Sequence, residues 1–173
     1  MSVFFTSDLH LDHTNCAVKH RGFNSVEEHN DFIIDRINSV VSKRDKLFIA
    51  GDIGHNTSVK ALRYFDRLNC GNLHLIMGNH DQCHIEEYAK IFNKISGIIT
   101  YKGFWVTHAP MHPAELRGRL NIHGHVHGHK LPDGRYVNIN TDVNDYLPLS
   151  FDSIMADRMA ANGLLEWKEK YGS

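Results

Sequence analysis

A sandwich of two β-sheets covered by helices is the fold class the sequence predicts, and three observations predict it. Strand-like and helical segments alternate through the first half of the chain. The second half is instead rich in short strand-like runs, a mixture that argues against a single doubly wound sheet. Five short blocks of residues able to bind a metal or move a proton each sit just after a strand-like run. In α/β sheets, the loops at one strand edge are where sites form.

The first strand is expected over 3–6, a β-branched and aromatic run that ends at Ser7-Asp8-Leu9-His10. Residues 11–23 are turn-rich, with a short helix over 15–19. Ser25 and Glu28 form a capping box, so a helix starts there. Ile33, Ile37, Val40 and Val41 continue it, Phe32 lies at the margin of that face, and Lys43-Arg44-Asp45 close it. A second strand over 47–50 delivers Gly51-Asp52. Ser58 is expected to cap a third helix whose face is Leu62, Phe65 and Leu68, with Gly71 as its left-handed end. A strand over 73–77 delivers Gly78-Asn79-His80-Asp81, and a helix follows over 85–92. Residues 98–101 and 104–107 read as a hairpin split by Lys102-Gly103, delivering His108. A polar loop over 110–119 leads to a strand over 120–123, whose terminal loop is 124–129. Pro132-Asp133-Gly134 is a turn signal. Late strands are expected over 136–139 and 149–151. Asp152 is expected to cap a last helix with Ile154, Met155 and Met159, extending toward 164–167 beyond Gly163.

The 173 residues suit one domain spanning 1–173. A chain of this length buries roughly 70% of the surface that its unfolded form exposes. A hydrophobic content of 42% and a charged content of 23% are ordinary for a globular protein. A net charge of −1 gives no overall basic field for nucleic acid or a membrane surface. No apolar run approaches the length of a membrane span. Cys16, Cys70 and Cys83 form no C-x-x-C pair, which argues for a reducing compartment. The start, Met-Ser-Val-Phe-Phe, lacks the basic region and long apolar core of a signal peptide, so a cytoplasmic location is expected. The unusual quantity is 14 histidines, histidine being the commonest metal ligand.

Those histidines are patterned. The densest stretch is 122–129, Ile-His-Gly-His-Val-His-Gly-His. With Asp8, His10, Asp52, Asn79 and His108, its His125 and His127 complete a set of two carboxylates, one amide oxygen and four imidazoles. Mixed nitrogen and oxygen donors suit Mn²⁺, Fe or Zn²⁺ rather than a thiolate zinc finger or a Ca²⁺ cage. Seven side chains are too many for one tetrahedral ion and enough for two if a carboxylate bridges. Two metals about 3.5–4 Å apart are the usual device for in-line displacement at phosphorus. Singly, each aspartate could cap a helix or close a turn, and each histidine could be a surface ring. Five blocks in order weigh against that bland reading.

The blocks Asp-x-His, Gly-Asp, Gly-Asn-His-Asp, a lone His and Gly-His-x-His, in that order from Asp8 to His127, resemble the calcineurin-like metallophosphoesterases. The resemblance implies a four-layer α/β/β/α sandwich of two mixed sheets flanked by helices. It implies that Asp8, His10, Asp52 and His127 hold one divalent ion, and that Asp52, Asn79, His108 and His125 hold a second, with Asp52 bridging. Mn²⁺ is the first expectation for the pair, with Fe, Zn or Ni as alternatives. His80 would face the substrate as the catalytic group, and Asp81 would hydrogen-bond its other nitrogen. His13, Arg21, Arg117 and Arg119, in loops expected at the same edge, are candidate substrate contacts, since an arginine there could fork a phosphate oxygen pair. His55 and His112 lie in the same set of loops.

The family's protein phosphatases carry arginine before the Gly-Asn-His block and glutamate after it. Here Met77 and Asp81 stand there, which counts against that substrate. Only residues 82–107 separate Asp81 from His108, and only 109–124 separate His108 from His125, leaving no room for a cap domain. The expected function is hydrolysis of a small, nucleotide-type phosphoester by an open site, with a homo-oligomer as one way of closing it. The alternatives are a nuclease for short or single-stranded ends, which would bind oligonucleotide with a steep salt dependence, and an idle scaffold for protein binding. No membrane partner is expected.

Overall fold

Nine short strands build two sheets in the computed structural model, which describes residues 1–160. The strands are β1 Val3–Thr6, β2 Lys46–Ile49, β3 Leu73–Ile76, β4 Lys94–Ser96, β5 Ile98–Tyr101, β6 Phe104–Thr107, β7 Leu120–His123, β8 Tyr136–Asn138 and β9 Leu149–Ser150. The helices are α1 Val26–Val40, α2 Ile85–Ala89 and α3 Phe151–Ala160, joined by a π turn at Asn15–His20 and a 3-10 segment at Val59–Arg67. The first sheet has the order β4-β3-β2-β1-β9 and the second β5-β6-β7-β8. Each is parallel except for one antiparallel edge strand, β9 in the first and β5 in the second. These are two mixed sheets with flanking helices, as expected.

Strands of the first sheet are apolar on both faces because both faces are covered. Leu47, Ile49, Leu73 and Leu75 pack under Ile33, Ile34 and Ile37 of α1 and Leu62 and Phe65 of the 3-10 segment. Phe5, Phe48 and Ile76 point the other way and meet Phe104, Val106 and Ile122 of the second sheet. Phe5 and Phe48 stack with ring centroids 5.0 Å apart at the centre of that inter-sheet core. Truncating either ring to alanine would cost about 3–5 kcal/mol.

The local signals divide into those that acted as expected and those that lost to tertiary context. The Ser25 hydroxyl accepts from the Glu28 amide at 3.1 Å and starts α1; Phe32 is exposed at its margin. Lys102 and Gly103, with φ of 44° and 83°, make the tight β5–β6 turn. Ser58 makes no side-chain cap, and its segment winds as a 3-10 helix that ends at Arg67. Gly71 is not a left-handed end, since it does not lie among the positive-φ residues. α3 begins at Phe151, and Ser150 rather than Asp152 caps it, its hydroxyl accepting from the Ser153 amide at 2.9 Å. The Met159 side chain and residues 163–167 lie outside the described residues. Strand β4 carried no sequence signal; it is a three-residue edge. No helix among the described residues is long and apolar enough to cross a membrane.

Candidate metal centre

Parallel strands β1, β2 and β3 of one sheet and β6 and β7 of the other end at a common edge, and each hands over one of the five blocks. Asp8, His10, Asp52 and His108 are all at most 6% exposed, whereas Asn79 and His125 sit at the rim. The seven candidate ligands are brought together in two groups. One ligand atom from each of Asp8, His10 and His127 lies within 4.8 Å of the others, and the same holds for Asp52, His108 and His125.

Hydrogen bonds set which atom each ring offers. The His108 Nδ1 donates to the Ala50 carbonyl at 2.7 Å, leaving Nε2 for the site. Around that Nε2 stand Asn79 Oδ1 at 3.0 Å, His125 Nδ1 at 3.1 Å and Asp52 Oδ2 at 3.3 Å. The same Asp52 oxygen is 4.0 Å from His10 Nε2, so it stands between the two groups. The His127 Nδ1 donates to Asp142 Oδ2 at 2.6 Å, again leaving Nε2. A carboxylate or carbonyl behind a histidine is the usual support of a metal-binding ring. Neither nitrogen of the buried His10 has a hydrogen-bond partner among the described residues. The donor set and this orphaned ring fit divalent metal ions.

Charge follows the same division. Burial opposes protonating His108, but the Asp52 and Asp8 carboxylates lift it to about 9. Burial also opposes ionising Asp52, yet hydrogen bonds and the His108 charge hold it below the usual carboxylate range. Burial and the Arg21 charge lower His10 to about 3, so its ring is neutral, the form that binds metal. Burial raises Asp8 above its usual range.

Backbone geometry brings these groups close. Asp8, His10, Asp52, His125 and His127 all have positive φ, between 47° and 70°. This is a region that non-glycine residues seldom adopt, and one that clusters at functional sites. Gly51 has φ of 84°, and a Cβ there would stand 2.6 Å from the Gly78 backbone and from His108 Nδ1. A Cβ on Gly124 would overlap the Ser7 side chain and the Asp8 carboxylate.

The remaining expectations met mixed outcomes. His80 lines the cavity beside His10 and His127. Asp81 does not reach its ring. The Asp81 carboxylate instead accepts the amides of Asp52 at 2.9 Å, Ile53 at 3.0 Å and Gly78 at 2.8 Å, tying two of the site loops together. The His80 Nδ1 meets Asn56 Oδ1 at 3.1 Å, so Asn56 takes the expected place of Asp81. His13 lines the cavity, with its ring 4.0 Å from that of His55.

Arg21 lines the cavity too, but its fork is already spent. Nε donates to Asp142 Oδ1 at 2.7 Å, Nη1 to the Leu9 carbonyl at 2.9 Å, and Nη2 to the Asp8 carbonyl at 2.7 Å and Thr141 Oγ1 at 3.0 Å. It positions the ligand loop and Asp142 instead of awaiting a phosphate. Burial would raise Asp142, but its bond from His127 and the Arg21 charge bring it to about 2. Arg117 and Arg119 precede β7, at the end opposite Gly124, and neither lines the cavity. Arg117 pairs with Glu115 at 3.3 Å and Arg119 covers the Trp105 ring at 5.1 Å. Asn56, Asp142, Cys16 and Tyr146 are site residues that sequence reasoning missed. Asn56 and Asp142 sit in turn-like stretches, and only the fold pairs them with histidines 24 and 15 residues away.

Fold and site together define a metallophosphoesterase. The profile of the calcineurin-like phosphoesterases matches residues 1–166, and the chain belongs to that family. It is 31% identical over 168 residues to the uncharacterized protein MJ1445 of Methanocaldococcus jannaschii, covering 88% of this chain and 89% of that one. It is 31% identical over 162 residues to the Gene 66 protein of Mycobacterium phage L5, covering 73% and 77%. Among solved structures, the Aquifex aeolicus protein AQ665, described as of unknown function, superposes with a TM-score of 0.71 at 25% identity, over 90% of this chain and 98% of that one. The Pseudomonas putida nuclease MPE shares the fold with a TM-score of 0.53 at 19% identity, over 72% and 61%. The family hydrolyses phosphoesters with divalent metals.

Proposed function

We propose that this chain is a single-domain, dinuclear-metal-dependent hydrolase of a small, nucleotide-type phosphoester. The observation that carries the reading is Asp52 Oδ2, 3.3 Å from His108 Nε2 in its own group and 4.0 Å from His10 Nε2 of the Asp8–His10–His127 group. Asp8, His10, Asp52 and His127 would hold one ion, and Asp52, Asn79, His108 and His125 the other, with Mn²⁺ the favoured metal and Fe, Zn or Ni its competitors. When bound, such a pair lowers the pKa of water and neutralises charge gathering on the phosphoryl oxygens.

The chain's own groups then divide the work. Asn56 orients His80 through Nδ1, leaving Nε2 to hydrogen-bond the phosphoryl group and give a proton to the leaving oxygen. Asp81 holds the Asp52 and Gly78 loops in register. Arg21 and Asp142 fix His127. His55 stacks beside His80 with ring centroids 5.3 Å apart, and His13 packs on His55 at 4.0 Å. The cavity, about 600 Å³, suits a small ligand. The chain's three cysteines, Cys16, Cys70 and Cys83, are all free and favour a cytoplasmic, reducing location.

The test is metal-titrated hydrolysis of matched chromogenic monoester and diester substrates, repeated with His80→Ala. Metal-dependent turnover that falls in the variant while metal content stays constant supports the reading. Turnover indifferent to metal, or metal lost from His80→Ala, sinks it. The nuclease reading, suggested by the name of the Pseudomonas putida fold neighbour, predicts faster cleavage of a short single-stranded oligonucleotide than of the chromogenic diester.

A further inference from the structure

The cavity wall beyond the two ligand groups carries a thiol. Cys16 lies in the π turn Asn15–His20, is 5% exposed and lines the cavity. The Arg21 amide bonds the Cys16 carbonyl at 3.0 Å, an i to i+5 step that widens this turn. One ligand atom from each of His10, His13 and Cys16 lies within 4.8 Å of the others. His10 is 3% exposed, and both of its ring nitrogens, with the buried Nδ1 of His13, have no hydrogen-bond partner among the described residues. Buried polar atoms left unpaired are costly, and a cluster of them beside a thiol has the character of a ligand site.

We propose that Cys16, His13 and His10 form a third metal site, suited to a soft or borderline divalent cation such as Zn²⁺ or Cd²⁺, that adjoins the hydrolytic centre and competes with it for His10. One thiolate and two imidazoles with an open fourth position are donors for such ions, whereas Mn²⁺ and Mg²⁺ prefer oxygen-rich sets. Bonds of about 2.0–2.3 Å in a tetrahedron require ligand atoms about 3.3–3.6 Å apart. The group must therefore contract by about an ångström on binding. On binding, the Cys16 S–H proton passes to solvent and the sulfur lone pair goes to the ion; nothing is oxidised or reduced. A neutral imidazole has one lone-pair nitrogen. His10 therefore serves either Asp8 and His127 or Cys16 and His13, never both.

The experiment is a Cd²⁺ titration of the whole protein, followed by the thiolate-to-metal charge-transfer absorbance, which is read without any hydrolysis. The wild type should show a band that saturates. Cys83→Ser, which removes the half-buried thiol near Asn56, should keep it, and Cys16→Ser should lose it. Mn²⁺ should give no band. A band that survives in Cys16→Ser, or no band in the wild type at saturating Cd²⁺, overturns the site. His13→Gln decides the matter should Cys16→Ser fail to fold. Its Cd²⁺ affinity should drop by about 10–100-fold, the scale of damage to a metal's ligand surroundings. An unchanged affinity rejects the assignment.

Discussion

Asp52 is the residue that the two proposed ligand groups would share, because one of its carboxylate oxygens lies 4.0 Å from His10 Nε2 and 3.3 Å from His108 Nε2. Replacing it by asparagine keeps the shape and removes the negative charge. Asp52→Asn should therefore lower the bound metal toward zero at both positions, as read by elemental analysis after gel filtration. Full loading in that variant would remove the bridge. Asn56 makes a subtler claim, since it touches His80 and no ligand group. Asn56→Ala should keep its metals and slow turnover about tenfold or more, a part of what proton transfer contributes. The loss should be steepest for poor leaving groups, and Asn56→Asp should recover much of it. A loss equal for good and poor leaving groups would mean that Asn56 acts on the fold alone. Every proposed ligand was legible in the sequence, because each lies in a short block and the blocks come in order. The partners were not. Asp142 and Asn56 act through space on His127 and His80, and a single chain carries no mark of those pairings. The Asp81 role was misjudged for a related reason: its neighbour in sequence is His80, but its neighbours in space are three backbone amides.

At the scale of elements, local chemistry was reliable where it was self-contained. The Ser25 cap of α1 and the Lys102-Gly103 turn need nothing outside their own few residues and behave as read, although the Glu28 carboxylate closes on the Asn24 amide instead of completing the box at Ser25. Ser25→Ala should cost about 1 kcal/mol, measured as a shift in the urea midpoint without a change in slope. The elements that went astray are those held by contacts from elsewhere. Residues 59–67 carry an apolar face that packs equally well from a 3-10 winding, and the π turn differs from an α turn by one hydrogen bond. Strand β4 is read only from its pairing with β3, and its Lys94 is the kind of charge that keeps an edge strand from further pairing. Arg21 ties the turn to the ligand loop with a side chain 3% exposed. Arg21→Ala would leave the Leu9 and Asp8 carbonyls without this donor and Asp142 with His127 alone, so destabilisation of about 1–3 kcal/mol is expected, readable in the same urea experiment.

For the whole molecule, the arrangement of both sheets matters more than any one element. The class of fold could be read from the order of strand and helix signals, yet strand order could not. Nothing local indicates that β1 sits between β2 and β9, or that β7 sits between β6 and β8. Burial across the whole fold also gives a response to acid. His29 and His74, at 0% and 5% exposed, are held neutral mainly by burial, each lowered from 6.5 to about 4. A histidine with a depressed folded pKa contributes stability above its unfolded value, and loses it as pH falls toward the folded one. The chelator-treated protein should therefore melt at steadily lower temperature between pH 6.5 and 4. A flat melting temperature across that window would mean that both rings stay protonated in the native state.

The ligand groups take their members from opposite ends of the chain and from both sheets: Asp8 follows β1, and His127 follows β7. An ion held by those two side chains, as proposed, would be a removable cross-link between the sheets. A covalent tie closing a loop of about 100 residues restricts the unfolded chain by about 4–5 kcal/mol. A coordinated ion that unfolding releases leaves the unfolded chain unrestricted and instead stabilises the fold by mass action, by about 2.7 kcal/mol at a hundredfold excess of free ion over its dissociation constant. Scarcity of metal would then shorten the lifetime of this protein in a protease-rich setting, apart from any effect on its chemistry, so that supply of the ion sets how much protein survives as well as how fast it works.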